Sequence, residues 1–328
     1  MYVLGIETSC DETSAAIVKD GRRVLSNVVS SSLKFHKIYG GIIPEIASRM
    51  QLETISQVTD SAIREAGIRL KDINLISVTT GPGLLGSLLV GISFAKAVSL
   101  SLGISLLGIQ HLHGHIYANF LDRKPIPLPF MALIISGGHT SLFYVEDFTQ
   151  IKLIGATLDD ACGEAFDKVA KILRLGYPGG PFIERAAKNG NPKKIKFSCS
   201  GTKKPLDFSF SGIKTAVLYY VKKHSIQDSR LIYDIAASFQ ETVIDTLLQK
   251  ALFACELKRT KRLLIGGGVA ANSRLRDKFY RQTKACGLDC FFPSREFSLD
   301  NAAMIAGLGY YLFKKGYRSD LYLTADSN

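Results

Sequence analysis

The six cysteines of this 328-residue chain (positions 10, 162, 199, 255, 286 and 290) include no CxxC pair. They are too sparse for a disulfide framework, lack the paired knuckles of a structural zinc site, and fit a reducing cytosol. The opening MYVLGIETSCDE has no basic run ahead of its apolar residues, and Glu7 interrupts them, so neither a signal nor a transit peptide is expected. Low-complexity and collagen-like runs are absent; 10 prolines and 29 glycines are ordinary numbers. The most apolar stretch, residues 84–109, carries one charge, Lys96. Gly103 splits it into a helix-like part and the strand-like ISLLGI, so a buried helix and strand are expected rather than a membrane span.

What is present is enough for a sizeable core: 46% hydrophobic against 21% charged residues, over a length that suggests two domains or one duplicated fold. The net charge of +12 is uneven. Residues 1–164 hold 13 basic and 15 acidic side chains, residues 165–328 hold 28 and 14. A polyanionic partner of the second half and mere solubility explain that asymmetry equally well.

Hydrophobic periodicity reveals a repeat. Strand signals at 2–6, 14–19 and 23–30 precede a helix at 44–66, a strand at 73–79, the turn GPG (81–83), a helix to about Leu102, a strand at 104–109 and a short helix from His111. The same order returns from Phe130: strands at 130–135, 141–145 and 150–154, the strand 262–265, the turn GGG (266–268), a helix at 272–284, the strand 289–292 and a last helix near Asp300. Inserted helices are expected at 160–173, 181–188, 210–224 and 231–257. The expected architecture is α/β: a duplicated actin-like ATPase and sugar-kinase fold, with two similar lobes (1–128 and 129–328, the second with inserts over about 160–260) around a central cleft. The glycine turns 81–83, 136–138 and 266–268 would open into that cleft, where ligands of such folds sit.

Three of the six histidines fall within HLHGH (111–115). His111 and His115, four apart, project from one helical face and can bind a transition metal; a surface cluster is the bland alternative. The duplication places Asp300 at the equivalent helix of the other half, so pseudo-symmetry would bring it across the cleft to them, although Asp300 alone reads as a helix N-cap. A His2Asp group leaves coordination positions open for a substrate. The motif lacks the Glu of HExxH, Leu112 standing there, which weakens a metalloprotease reading. In SGGHT (136–140) backbone amides are offered to a phosphate, and GGGVAAN (266–272) resembles a glycine turn at a helix start. Glu7, Asp11 and Glu12 put carboxylates at the first turn, to orient a metal-bound phosphate or act as base. Lys193, Lys194, Lys196, Lys203 and Lys204 with Phe197 form one basic set, and Arg274, Arg276, Lys278, Arg281 and Lys284 a second; either tracks a phosphate backbone or is a solvated face.

Taken together, GIETSCDET, YGGIIPEIASR, GPGLLGSLLVG, HLHGH, ISGGHT, LDDACGEAFDKVAK, YPGGP, FSFSGIKT, ASFQE, GGGVAAN and DNAAMIA resemble one family across residues 3 to 313, the bacterial branch of the tRNA threonylcarbamoyladenosine-forming transferases. The resemblance implies transfer of the threonylcarbamoyl group of threonylcarbamoyl-AMP to the exocyclic amine of adenosine 37, in the anticodon loop of tRNAs reading codons that begin with A. It implies His111, His115 and Asp300 as metal ligands, with iron the usual metal and zinc a substitute. Ile134, Ile135, Ser136, Gly137, Gly138, Asp167, Gly180, Glu184 and Asn272 would hold the adenylate. An inactive paralogue as dimer partner, a small ATPase and a separate synthase are implied, in the cytoplasm. Asp11, Glu12 and His139 are unranked candidates for the base. Two departures stand out: Cys162 replaces a common Ala, and Ser298-Leu299 a common Cys-Thr, the latter beside a proposed ligand. A small-molecule kinase of the same fold would need neither the HxxxH nor the basic half. A secreted sialoglycoprotein protease would need a signal sequence, and an inactive scaffold would be expected to lose the histidines.

Overall fold

Runs such as YVLGI and SAAIV are apolar at consecutive positions, a pattern that suits strands covered on both faces. In the computed structural model, which describes residues 1–224 and 228–326, they form β1 (Tyr2–Glu7) and β2 (Glu12–Lys19). There follow β3 (Arg23–Ser31), α1 (Leu33–His36), α2 (Pro44–Glu65), β4 (Ile73–Gly81), α3 (Leu85–Leu102), β5 (Ser105–Gln110) and α4 (His111–Tyr117). The sheet order is β3-β2-β1-β4-β5, antiparallel through the first three strands and parallel from β1 to β5.

The second half runs β6 (Phe130–Ile135), β7 (Thr140–Asp147), β8 (Gln150–Ala156), α5 (Cys162–Ile172), α6 (Gly179–Ala187), α7 (Ser211–His224), α8 (Ser229–Leu257), β9 (Arg262–Gly266), α9 (Ser273–Ala285) and β10 (Asp289–Phe291). Its sheet, β10-β9-β6-β7-β8, repeats the first strand for strand. The duplication expected from periodicity is therefore present, and the inserted helices are α5 to α8. The last helix is α10 (Ala302–Lys314).

One boundary differs from expectation. Residues 129–328 were expected as one lobe, but the chain divides into Met1–Ile126 with Pro293–Asn328, and Pro127–Phe292. The reason is that α10 packs on β1, β2 and β4. Strand alternation sends Leu4 and Ile6 into a core with Ile55, Val58, Leu88 and Ile92 of α2 and α3. Gly5, on the opposite face, lies so close to α10 that a Cβ there would strike the Ala302 carbonyl. α10 covers β1, β2 and β4 on that face, and α4 packs beside it against β4 and β5.

The apolar stretch is a helix and a strand, as expected, but α3 is buried on one side only. Ser87, Leu88, Gly91, Ile92, Ala95 and Ser99 are covered, whereas Leu85, Leu89 and Leu100 are 53%, 48% and 70% exposed. Among the described residues it is the one helix long and apolar enough to cross a membrane, by length and composition.

Candidate functional site

β5 ends at Gln110, whose side chain accepts the His113 amide (2.8 Å) and starts α4. His111 and His115 then stand one helical turn apart, 4% and 0% exposed, with ring centroids 4.7 Å apart. Gly114, between them, lets α4 approach α10 closely: a Cβ there would come within 2.8 Å of Ile305. That approach brings in Asp300, which precedes α10. Its Oδ1 lies 3.1 Å from His115 Nε2 and 3.6 Å from His111 Nε2. Asp300 is not the N-cap of the helix; Asn301 is, accepting the Met304 amide at 3.0 Å. With capping left to Asn301, the Asp300 carboxylate can turn to the histidines. It also reaches them from within one unit, where it was expected from across the cleft, because Pro293–Asn328 packs with the amino-terminal residues.

Glu7, expected only as one of three carboxylates at the first turn, stands directly behind His111. Alternation puts it on the α10 face of β1, fully buried. Its Oε2 accepts from His111 Nδ1 at 3.0 Å and from the Thr79 hydroxyl, and its Oε1 accepts the Ser9 amide at 2.6 Å. The ring of His111 is thereby fixed with Nε2 turned towards Asp300, a carboxylate–histidine arrangement typical behind metal ligands. Among the described residues His115 has no such support; its Nδ1 is buried without a partner there. The only signal for Glu7 in the sequence is a carboxylate at an otherwise apolar strand's end.

Burial opposes a charge on His111, but Glu7 and Asp300 outweigh it and raise its pKa to about 9. Burial likewise opposes the charge on Glu7, and the His111 partner prevails, holding it below the usual carboxylate range. Glu12 is pushed well above that range by burial, then by Asp300 and Asp11. Burial and the same acids raise the Cys10 thiol. This excess of negative charge around two imidazole nitrogens is what a divalent cation would relieve. His111, His115 and Asp300 offer ligand atoms all within 4.8 Å of one another, and the borderline nitrogen and hard oxygen donors suit a first-row metal. The donor set fits the implied metal.

Asp11 is nearly buried, its carbonyl taken by the Ser32 amide and hydroxyl. His139 sits in the β6–β7 turn of the other unit, where its main chain pairs with Ser136.

The adenylate candidates all lie in 127–292. The amides of Gly163 and Glu164, opening α5, donate to the carbonyls of Ser136 and Gly137. A Cβ on Gly163 would fall 2.6 Å from the Ser136 carbonyl, so the helix can meet the turn only through glycine. One turn on, Asp167 accepts the Gly179 amide at 2.6 Å, and burial raises its carboxyl to about 6. Glu184 of α6 accepts the Ser273 amide at 3.0 Å. Asn272 caps α9 through Leu275 and donates to Gln240 at 2.8 Å. Cβ atoms on Gly137, Gly138 and Gly180 would meet nothing, so these backbones face open space. Ile134 and Ile135 are buried strand residues and can offer a ligand main chain alone. Glu184, Gln240, Glu241, Ser273, Arg274 and Asp277 line a cavity of about 300 Å³. Gln240 and Arg274 were not among the expected adenylate residues, though Gln240 lies in ASFQE.

The two basic sets part company. On α9, Arg274 pairs with Glu241 at 2.7 Å, Lys278 with Glu241 and Asp245, and Arg281 with Asp277 at 2.9 Å; Arg276 donates to the Ala270 carbonyl. That helix is largely neutralised from α8. Lys193, Lys194, Lys196, Lys203 and Lys204 are exposed, and none makes an ion pair among the described residues.

Two five-stranded sheets in one repeated order define a protein of the duplicated actin-like class, and the His/His/carboxylate group at the end of the first sheet could hold a metal ion. Solved structures agree on the fold. HypF of T. kodakarensis matches 98% of this chain with 48% of its own (TM-score 0.64, 15% identity), and component A of the (R)-2-hydroxyglutaryl-CoA dehydratase of Acidaminococcus fermentans matches 95% with 98% (TM-score 0.57, 17% identity). The family model described as tRNA N6-adenosine threonylcarbamoyltransferase matches residues 23–307. Proteins of that name from Dictyoglomus turgidum (49% identity, 99% of this chain and 98% of that protein) and Syntrophotalea carbinolica (49%, 100% and 96%) are similar from end to end. The chain belongs to the tRNA N6-adenosine threonylcarbamoyltransferase family and is a tRNA-modifying acyltransferase.

Proposed function

We propose that this chain transfers the threonylcarbamoyl group of threonylcarbamoyl-AMP to N6 of adenosine 37 in the anticodon loop of tRNAs reading codons that begin with A. The observation that carries the reading is the His111–His115–Asp300 group, buttressed by Glu7, in a chain of this family. The metal held there is iron, with zinc able to replace it: two histidines and one carboxylate with open positions are the donor set of non-haem iron(II). Bound there, the metal would supply Lewis acidity towards an oxygen of the acyl donor.

The chain's own residues do the rest. The turn 136–138, with Asp167, Gly180, Glu184 and Asn272, holds the adenylate; amides at the turn stabilise the negative charge of the leaving phosphate. N6 attacks the carbonyl carbon, the bond from that carbon to the phosphate oxygen breaks with its electron pair on AMP, and N6 gives up one proton. Adenine's amine is a weak nucleophile, so positioning carries much of the rate. Asp11, Glu12 and His139 are the candidates for the group that takes this proton. The exposed leucines of α3 suit a protein partner, here an inactive paralogue, with a small ATPase completing the cytoplasmic assembly.

The test is transfer of labelled threonylcarbamoyl from the adenylate to unmodified tRNA, with partner proteins present, beside His111→Ala/His115→Ala, with metal content measured on both. Metal and transfer are expected to disappear together. ATP hydrolysis or small-molecule phosphorylation without transfer would put a kinase in place of the transferase.

A further inference from the structure

The exposed lysines of 191–204 do not stand alone. Phe197 packs edge-on against Tyr220 of α7 (centroids 6.0 Å apart), and Tyr220 stacks on His224 at 4.1 Å. These contacts seat the segment beside the carboxy-terminal end of α7, where Lys222 and Lys223 are also exposed and unpaired among the described residues. Tyr219, three and four positions before them and so on the same face, is 66% exposed. Acids nearby are engaged by the chain itself: Asp234 accepts the Asn191 amide, Asp207 the Ala156 amide, and Asp159 the hydroxyls of Ser209 and Ser211. Seven exposed lysines thus belong to this segment and the adjoining end of α7, and none of them pairs with an acid among the described residues. Such crowding of like charge is unfavourable until a polyanion arrives.

The geometry points to this surface, residues 191–204 with the outer end of α7, as the place where the backbone of the substrate RNA lies, Tyr219 offering its face to an unpaired base. The inference rests on the transferase reading and adds to it where the RNA is held. Lysines contact phosphates without reading sequence, and an exposed aromatic ring stacks on any base; together they form a platform for a stem and its open loop.

The experiment measures binding of a fluorescent anticodon stem–loop between 50 and 200 mM salt, and steady-state transfer to full tRNA. Two variants are compared with wild type: Lys193→Gln/Lys194→Gln/Lys196→Gln, and Tyr219→Ala/Lys222→Gln/Lys223→Gln. At roughly 0.7–0.9 per phosphate contact, the first should flatten the slope of log K against log salt by about 2 to 3. KM for tRNA should rise on the order of tenfold with kcat at saturating tRNA unchanged. The second variant should lower stem–loop affinity in the same way, and both should melt with wild type. Unchanged slopes and KM in two folded variants would place the RNA elsewhere. Equally tight, equally impaired binding of polyglutamate or phosphatidylserine vesicles would overturn the choice of RNA. Wild type that transfers to no tRNA would sink the functional reading itself, a result distinct from either.

Discussion

The two units share a strand order and differ in what they place at the same points of it. After β1 the first unit carries a turn of carboxylates, with Glu7 buried beneath it; after β6 the second carries Ser136-Gly137-Gly138. After β5 come the histidines, whereas after β10 the chain leaves for the first unit and delivers Asp300 to them. Charge diverges too: 16 basic and 14 acidic residues in the first unit against 25 and 15 in the second. A duplicated scaffold has thus been put to two uses. On the proposed reading, one copy works with buried side chains that crowd negative charge around two imidazoles, and the other with exposed backbone at glycine turns and a basic exterior. Side-chain chemistry needs burial and second partners, while backbone chemistry needs the absence of Cβ atoms, and no single turn can supply both.

The sharpest way to break that comparison is Glu7→Gln. If the first unit works through supporting carboxylates, removing one charge behind His111 should weaken metal binding roughly ten- to hundredfold, with the amide still able to accept the His111 proton. Competition against a chelator measures it. An affinity equal to wild type would reduce Glu7 to a packing residue.

Element order, the repeat, the glycine turns and the histidine pair were all legible in the sequence, because each is a local pattern. The place of Glu7 behind His111 was not, since its partners Thr79 and His111 lie 72 and 104 residues away. Nor was the return of α10: a helix signal says nothing about which sheet it will cover, and only the bare α10 face of β1 decides that. Asp300 was expected beside the histidines, and only its alternative reading as a cap fails: Asp and Asn are both good caps and stand side by side, and Asn301 holds the Met304 amide.

A smaller effect tests the second unit. Burial raises the Asp167 carboxyl from 3.8 to about 6, so the folded state prefers it protonated. The stability this group favours is present below about pH 4 and is lost as pH rises through about 6. Relative to Asp167→Asn, wild type should therefore lose on the order of 2 kcal/mol between pH 4 and pH 7. Urea unfolding of both proteins across that range gives the difference directly. A constant difference would show that Asp167 ionises freely and that the site around Gly179 is wetter than its burial implies.

The smallest expected effect separates two basic faces that look alike in sequence. Arg281 on α9 is exposed and pairs with Asp277 one turn earlier, so Arg281→Gln removes a surface pair worth within about 0.5 kcal/mol. The same neutralisation at Lys194 removes a cation with no acid beside it. If α9 is balanced from Asp277, Glu241 and Asp245, then Arg281→Gln should leave the salt dependence of stem–loop binding unchanged, while Lys194→Gln alone lowers the slope by nearly 1. A slope that falls equally for both would mean that a cation's acidic neighbours do not decide whether it meets the RNA, and net charge alone would then describe the whole second unit.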